Sequence, residues 1–469
     1  MKINKIFIGL MKEVICIHIG QAGIQMSSPI WELFCLEHNI SLSGEKINDN
    51  NELTDNSNLP IFFQENSNGK YTPRTLFIDT DPEIINKIKT SNLQNLYSKN
   101  FYVNCKEDSG SNYGRASFLF KLCLDEIKNK INKLIDSCDK LQGIFIFNSL
   151  GGGTGSGFTS NLLNELNNEM GLSNIPNICF SIFPSQESLS TVVEPYNTIL
   201  SIPNYCDNNH SSIILNNKSL YNICEKYLNI ENPNYDHINL LIAHLFSNIT
   251  ASLRFKGTIN SNINELLMNL TPYPRQHFLL TSNTPFIPKE KEYLENYSID
   301  RITNLAFETD YQMSYYNLKT LSYTKYCAMN LMFRGDIIQP EIHKAINSIK
   351  EKKKIKIHDC SPSPFKYGFT YEPNKFLKDR FLGKILKSVC VLQNSDSVEH
   401  IFDEISMNFD LLYSKRAYIF HFIGEGLPEG QFQESREEIA ALSKDYEEVI
   451  GESGESFDSD NTESFIDIE

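Results

Sequence analysis

Short apolar runs alternate with segments of helical periodicity in the first half of the chain. Five of the runs have the length of a buried strand, at 14–19, 75–78, 143–147, 178–183 and 212–215. Segments 112–138 and 158–170 carry apolar residues three and four positions apart, which predicts helices. This alternation predicts a parallel sheet covered by helices, with a ligand beyond the carboxyl ends of the strands.

The pattern changes after about residue 216. A long, largely apolar segment at 235–255 predicts a helix that is buried on most sides, and a mixed α/β region follows to about 392. Residues 397–449 have helical periodicity, apart from an apolar run at 417–423 that predicts a strand.

Two polar stretches predict irregular structure. Residues 41–58 are rich in Asn, Asp, Ser and Glu, which predicts a mobile loop. Residues 450–469 contain seven carboxylates and no Lys or Arg, so we expect a disordered acidic tail.

Composition narrows the possible functions. The formal net charge is −15, from 43 basic and 58 acidic residues, which makes the chain a poor binder of nucleic acid by counterion release. The 11 cysteines are spread singly without a CxxC pair, which indicates free thiols in a reducing compartment. Nowhere do about 18 apolar residues run uninterrupted. We therefore expect a soluble, cytosolic chain with neither nucleic acid nor membrane as a partner.

The clearest candidate site is the run GGGTGSG at 151–157, which follows a predicted strand and opens a predicted helix. Glycines let the backbone approach a ligand, and free N–H groups at a helix start favour a phosphate. The run is not a P-loop, because no Lys-Ser/Thr follows the glycines, and it does not fit G-x-G-x-x-G. A flexible turn is the alternative, and the strand–loop–helix context disfavours it.

Four motifs together resemble the tubulin family: HIGQAG at 18–23, GGGTGSG at 151–157, VEPYN at 193–197 and ITASLRF at 249–255. The resemblance covers about residues 11–449. Glu265, the length of the segment 373–383 and the ending at 424–449 are similar to α-tubulins, and so is the length of the 41–58 loop. The chain resembles a divergent α-tubulin.

This resemblance implies an α/β fold with a parallel-sheet GTP-binding domain, a second mixed α/β domain, a C-terminal helical segment and an acidic tail. The corresponding boundaries are 1–10 for an N-terminal extension, 11–216 for the nucleotide-binding domain, 217–392 for the intermediate α/β domain, 393–449 for the C-terminal helical region and 450–469 for the tail.

The resemblance also implies bound GTP and Mg²⁺ and assigns ten residues to them. Five would lie at the phosphates: Gln21, Asp108, Ser149, Gly153 and Thr154. Four would contact the nucleoside: Ser190 at the ribose, Asn217 and Asn239 at the guanine edge, and Tyr235 stacked on the base.

Asp81 would be the carboxylate on the magnesium side, where the family usually has Glu. An Asp before a Pro is more often a helix cap, and that alternative stays open. Taken singly, the Asn and Tyr residues would be ordinary turn or core residues; only their joint alignment favours a nucleotide site.

In this family the α chain keeps its own GTP at the contact with β-tubulin. A glutamate in the position of Glu265 completes GTP hydrolysis at the β site of the adjacent dimer, so catalysis follows assembly. Here the companion Asp, three positions earlier, is Asn262. Because Asn can orient water but cannot take its proton, we expect hydrolysis to depend on Glu265 alone.

The resemblance further implies microtubules of the cytoplasm as the location, with motors and microtubule-associated proteins attracted by the tail. Two other functions are alternatives to a microtubule subunit. A divergent paralogue that binds GTP and β-tubulin but assembles or hydrolyses poorly is favoured by Asn262, Ser111 and Leu294. A dinucleotide oxidoreductase is disfavoured because no G-x-G-x-x-G opens the chain.

Overall fold

The first half of the chain forms a parallel sheet between layers of helices. The structure, a computed structural model, describes residues 12–47, 56–185, 189–258, 262–293, 297–314, 324–351, 356–357, 364–377 and 381–451. The strands of this half are β1 Lys12–Ile19, β2 Phe63–Glu65, β3 Tyr71–Pro73, β4 Thr75–Asp79, β5 Tyr102–Asn104, β6 Lys140–Ser149, β7 Asn177–Phe183 and β8 Ser211–Asn216. The helices are α1 Gly20–Glu37, α2 Pro82–Lys89, α3 Tyr113–Asp136, α4 Gly153–Asn164, α5 Glu194–Asn208 and α6 Asn217–Lys226.

The second half mixes helices with strands that pair both in parallel and antiparallel, and it ends in helices. Its helices are α7 Tyr235–Arg254, α8 Ile263–Met268, α9 Ile299–Ala306, α10 Gln339–Glu351, α11 Val398–Tyr413, α12 Ile419–Gly424 and α13 Gly430–Gly451. Its strands are β9 Phe278–Thr284, β10 Lys325–Gly335, β11 Lys356–Ile357, β12 Phe365–Thr370 and β13 Lys387–Ser395.

One continuous sheet joins the two halves. Strands β5, β4, β1, β6, β7 and β8 are parallel neighbours in that order, and β8 pairs in parallel with β9. From β9 the sheet continues antiparallel through β13 to β10, whose other edge pairs with β11 and β12. A separate hairpin pairs β2 with β3.

Both faces of the parallel part are buried. Along β1, Val14 and Cys16 pack into a core under α1 and α7, while Ile15, Ile17 and Ile19 pack into a second core under α3, α4 and α5. A strand that is covered on both faces shows an unbroken apolar run, which is the pattern predicted at 14–19. All five predicted strands and both predicted helices of this half are confirmed.

The long apolar segment predicted at 235–255 is the helix α7. Its residues are buried from Ile238 to Arg254 except Ser252, so the prediction of a helix buried on most sides is confirmed. At its end, the guanidinium of Arg254 donates to the buried carboxylate of Glu37, the last residue of α1. Arg334 of β10 donates to the same carboxylate at 2.6 Å, so this group ties three elements together.

The strand predicted at 417–423 is wrong, because those residues form α12. Ile419 and Phe422, three positions apart, are both buried, whereas Phe420 and Ile423 are exposed. This spacing buries one face of a helix, and a strand would bury alternate residues. The apolar run was ambiguous because periodicity alone does not distinguish a short strand from a short helix.

Both predicted irregular stretches lie partly outside the described residues, and the acidic tail almost entirely so. Of 41–58, residues 48–55 are not described, and a short 3₁₀-helix begins at Asn56. Of the tail, residues 452–469 are not described, and α13 extends to Gly451.

Candidate functional site

The glycine-rich run lies where β6 ends and α4 begins. Gly152 precedes the first turn of α4 without a side-chain cap, so the N–H groups of that turn stay available to a ligand. A Cβ on Gly152 would meet nothing within 4 Å, whereas one on Gly155 would lie 2.2 Å from the carbonyl oxygen of Ser149. One glycine therefore leaves space for a ligand, and the other permits the backbone to turn.

The motif at 18–23 makes the turn from β1 into α1. Gly20 has a left-handed φ of +72°, and a Cβ on Gly23 would lie 2.2 Å from the carbonyl oxygen of Phe147. The buried ring of His18 lies between Phe77 and Phe147, and its Nδ1 is 3.0 Å from the carbonyl oxygen of Gly23. These contacts place Gln21 at the first turn of α1, where it faces the end of the sheet.

A cavity of about 390 Å³ opens at the carboxyl ends of the parallel strands. It is lined by all ten residues that the resemblance assigned to the nucleotide and its magnesium: Gln21, Asp81, Asp108, Ser149, Gly153, Thr154, Ser190, Asn217, Tyr235 and Asn239. These residues come from seven separate loops and helix starts, and the sheet brings them together as expected for a parallel α/β fold.

Hydroxyl groups join three loops at one end of this cavity. Thr80 Oγ1 is 2.7 Å from Thr154 Oγ1 and donates to Asp108 Oδ1 at 3.2 Å. Ser109 Oγ is 2.9 Å from Thr154 Oγ1. Thr80 did not emerge from the sequence, although its place directly after β4 was a signal that could have found it.

The motif VEPYN contributes two side chains that hold the loops in place. Glu194 Oε1 accepts hydrogen bonds from the backbone N–H of Ser190 and Thr191 at 2.9 and 3.0 Å. Buried Asn197 donates from Nδ2 to the carbonyl oxygens of Ser111 and Gly151, both at 2.8 Å. The sequence marked this motif as a resemblance but gave no role to either side chain.

Three aspartates, Asp79, Asp81 and Asp108, line the same end of the cavity. Asp79 is buried; its Oδ1 accepts from the backbone N–H of Thr80 at 2.7 Å, and its Oδ2 has no hydrogen-bond partner among the residues that the structure describes. Burial raises the pKa of this carboxyl to about 7, and the charges of Asp81 and Asp108 add to the rise. An unpartnered carboxylate oxygen beside two further carboxylates fits a hard divalent cation.

The alternative given for Asp81 is also present in the structure. Its Oδ1 accepts from the backbone N–H of Glu83 at 2.9 Å and so caps α2. Among the described residues, no group of three or more His, Cys, Asp or Glu side chains has the arrangement of a metal site. A cation here would therefore take part of its ligands from a bound phosphate and from water.

The opposite end of the cavity is formed by the starts of α6 and α7. Asn217 is the first residue of α6, and Tyr235 is the first residue of α7, with 56% of its surface exposed. Asn239 is buried one turn after Tyr235, and a spacing of four puts both side chains on one face of the helix. An aromatic ring and two amides suit a flat, hydrogen-bonding base.

Comparison with known proteins accounts for this arrangement. Residues 13–225 match the GTPase domain of the Tubulin/FtsZ family, and residues 274–407 match the tubulin C-terminal domain. The chain is also 42% identical over 444 residues to the tubulin alpha chain of the nucleomorph of Guillardia theta, which covers 94% of this chain and 98% of that one. The chain belongs to the tubulin family. Within the family it is a divergent α-tubulin-like member, and its GTPase domain implies that it binds GTP.

Glu265 of this tubulin chain does not lie in the cavity. It is exposed on α8, and the preceding Asn262 accepts hydrogen bonds from Lys12 Nζ and from Gln142 Nε2. Lys12 is the first residue of β1, whose last residue borders the cavity. At 3.3 Å per residue, this eight-residue strand separates the two ends by about 25 Å. Glu265 is thus at the end of the sheet opposite the cavity.

The backbone of Glu265 is held by a neighbouring strand. Lys366 of β12 donates from Nζ to the carbonyl oxygen of Glu265 at 2.6 Å. Partial burial lowers the pKa of Lys366, while the charge of Glu265 raises it. The side chain of Glu265 is left facing outward.

No helix in the described part of the chain combines the length and the apolar character needed to cross a membrane.

Proposed function

We propose that this chain is a subunit of microtubules that binds GTP and Mg²⁺ in the cavity, where the chain contacts β-tubulin. We further propose that its Glu265 completes GTP hydrolysis at the β-tubulin site of the adjacent dimer. The observation that carries the proposal is the meeting of all ten assigned residues in one cavity at the carboxyl ends of the strands. A guanine nucleotide suits this cavity because one end offers a helix start and hydroxyls, and the other offers amides and a ring.

At the phosphate end, the first N–H groups of α4 and the hydroxyl of Thr154 would donate to phosphate oxygens. Asp81 would hold Mg²⁺ together with Asp79, whose Oδ2 lacks a protein partner. The ion would neutralise charge on the phosphates when it is bound. The arm of Asp81 is one methylene shorter than the Glu usual in the family, so a water would bridge it to the ion.

The position of Glu265 supports a role in another subunit's site. A side chain about 25 Å from its own cavity cannot act on the nucleotide held there. Subunits stacked head to tail, however, bring the α8 end of one subunit against the cavity end of the next. In such a stack the carboxylate of Glu265 takes a proton from the attacking water or orients it.

Exposed apolar side chains beside the cavity support a protein partner. The helix α12 exposes Phe420 and Ile423. Its His421 carbonyl accepts a hydrogen bond at 3.1 Å from Asn112, the last residue of the loop 105–112 between β5 and α3, which we call the phosphate loop. Met407 and Leu411 of α11 are exposed as well. We propose that β-tubulin covers this apolar surface and closes the nucleotide in.

We propose that the seven carboxylates of residues 450–469 attract basic motors and microtubule-associated proteins, and that the chain functions in cytoplasmic microtubules. A second candidate function is a paralogue that binds GTP and β-tubulin but hydrolyses or assembles poorly. The observation that favours it is Asn262, where a neutral amide bound to Lys12 stands in place of a second carboxylate.

Nucleotide analysis of the purified dimer tests the binding proposal. The chain is co-expressed with the β-tubulin of the same organism, the complex is denatured, and the released nucleotides are separated by chromatography. We expect two guanine nucleotides for each dimer, one from the β-tubulin site and one, a guanosine triphosphate, from the cavity of this chain. An empty cavity, or a nucleotide other than a guanine nucleotide, would overturn the proposal.

Glu265→Gln tests the catalytic role. The variant keeps the shape of the side chain but cannot take a proton, so phosphate release during assembly should fall roughly 100-fold or more while filaments still form. The control is Asn264→Ala, which changes the exposed neighbour on the same helix. Release at the original rate in Glu265→Gln would remove Glu265 from the mechanism. Slow release and few filaments in the unmodified chain would favour the paralogue.

A further inference from the structure

Two cysteines lie in direct contact where the phosphate loop begins. Cys105 follows β5, Cys123 lies in α3, and their sulfur atoms are 2.7 Å apart. A disulfide bond needs about 2.05 Å between sulfur atoms, so the pair has to close by less than 1 Å. Lys130 of α3 donates to the carbonyl oxygen of Tyr102 and so holds β5 against this helix.

We propose that Cys105 and Cys123 form a reversible disulfide by exchange with a small-molecule disulfide of the glutathione class. The bond would fix the start of the phosphate loop, residues 105–112, to α3. Its effect on the nucleotide rests on the function proposed above, whereas its formation does not.

The different exposures of the two thiols set the order of the exchange. Cys105 is buried, and burial raises the pKa of its thiol well above the ordinary value, with the contact to Cys123 adding to the rise. Cys123 packs against the edge of the core beneath α3 but is only half-buried, so of the two thiols it is the one that a small disulfide can reach. Attack therefore begins at Cys123.

The exchange takes place in two balanced steps. The thiolate of Cys123 attacks one sulfur of the small disulfide, a mixed disulfide forms, and the first small thiol leaves with the proton of Cys123. Cys105 Sγ then attacks Cys123 Sγ, and the second small thiol leaves with the proton of Cys105. The protein loses two electrons and two protons, and the small disulfide takes up both.

The bond lies close enough to affect the cavity. The backbone N–H of Cys105 donates to the carbonyl oxygen of Asp79 at 3.3 Å, and Asp108 and Ser111 of the same loop line the cavity. Gly110 and Ser111 have φ values of +57° and +56°. A left-handed serine is a strained conformation, and a covalent anchor at the start of the loop opposes its release.

Mass spectrometry of the full chain in a buffer of oxidised and reduced glutathione tests the bond. We expect loss of two free thiols, a peptide pair linked through Cys105 and Cys123, and return of both thiols with excess reduced glutathione. Cys123→Ser should form no such bond, Cys105→Ser should keep glutathione on Cys123, and Cys138→Ser, which changes another half-buried cysteine, should still form it. Glutathione that stays on Cys123 in the unmodified chain, or a link to a different cysteine, would overturn the proposal.

Hydrogen exchange and nucleotide retention then separate this inference from the proposed function. We expect the amides of residues 106–112 to exchange about fivefold more slowly in the oxidised chain, and guanine nucleotide to be retained at higher urea. Equal exchange rates in the oxidised and reduced chains would show that the disulfide has no effect on the loop. A bond that slows exchange in a chain without guanine nucleotide would leave this inference standing and overturn the proposed function.

Discussion

Neighbouring glycines in one motif have different physical reasons to be glycine. At Gly155 a side chain would collide with the backbone of Ser149, whereas at Gly152 it would project into open space at the cavity. Gly155 is therefore needed for the backbone to fold, whereas Gly152 is needed to leave space for the ligand. The same substitution at the two positions should therefore separate stability from binding.

Gly155→Ala should lower the free energy of unfolding by about 3 kcal/mol, because the backbone has to move away from a contact of 2.2 Å. Gly152→Ala should leave stability within about 0.5 kcal/mol but lower the bound guanine nucleotide, because the methyl group takes space at the phosphates. Urea denaturation and nucleotide content measure the two effects. Equal losses of stability in both variants would contradict this division.

At the level of single residues, the sequence predicted ten of the residues that line the cavity but not the side chains that hold them there. Thr80 and Asn197 make their contacts through side-chain atoms with loops far away in the sequence, and no local pattern reports such a contact. Asp79 is the last residue of β4, and nothing in the sequence indicates that it is buried or that its Oδ2 lacks a partner among the described residues. Motifs predict which residues come together at the site, but the side chains that hold those residues in place can be identified only from the fold.

At the level of elements, strands and helices of the parallel half followed from periodicity because both faces are buried and the runs are long. The run at 417–423 failed because six or seven apolar residues fit either structure. Part of this apolar run is exposed: Phe420 has 68% of its surface accessible, and in our proposal it belongs to the surface that contacts β-tubulin and not to the core. In the sequence, an apolar residue that is exposed at a contact surface looks the same as one that is buried in the core.

Phe420→Ser tests that surface. Replacing the exposed ring should weaken the affinity for β-tubulin roughly tenfold or more, since a central aromatic contact contributes about 1–3 kcal/mol to an interface. The stability of the isolated fold should barely change. Ile338→Ser, which alters another exposed apolar residue before α10, is the matched control. The surface is excluded as a partner contact if both variants bind β-tubulin equally well.

At the scale of the whole molecule, the sheet runs without interruption from β5 to β10 and across the predicted boundary at 216–217. The pattern change there reflects a switch from an all-parallel arrangement to a mixed one, in which β13 is antiparallel to β9 and β10 while β11 and β12 are parallel to β10. Across the boundary, β8 and β9 still pair in parallel. The domain limits stay predictions. Pairing between strands about 60 residues apart has no local signature, so the sequence could not predict the continuity.

The carboxylate of Glu37 connects three elements that are far apart in the sequence. It joins the end of α1 to Arg254 of α7 and to Arg334 of β10, and all three side chains are buried. Burial by itself would raise the pKa of Glu37, but the two guanidinium groups lower it to about 2. The group is therefore ionised in the folded chain. Its contribution to stability is present above the ordinary pKa of 4.5 and is lost as the pH falls from there towards 2.

Glu37→Gln should lower the free energy of unfolding by about 3–5 kcal/mol at pH 7, because two buried guanidinium groups lose the carboxylate that pairs with both of them. It should also flatten the fall in stability between pH 4.5 and pH 2, since the titrating group is gone. Glu107→Gln is the control, because its ion pair with Arg115 is exposed and contributes less than about 1 kcal/mol. Urea denaturation followed by circular dichroism across this pH range measures both effects. Equal losses in the two variants would show that the three elements are held together by apolar packing and not by this carboxylate.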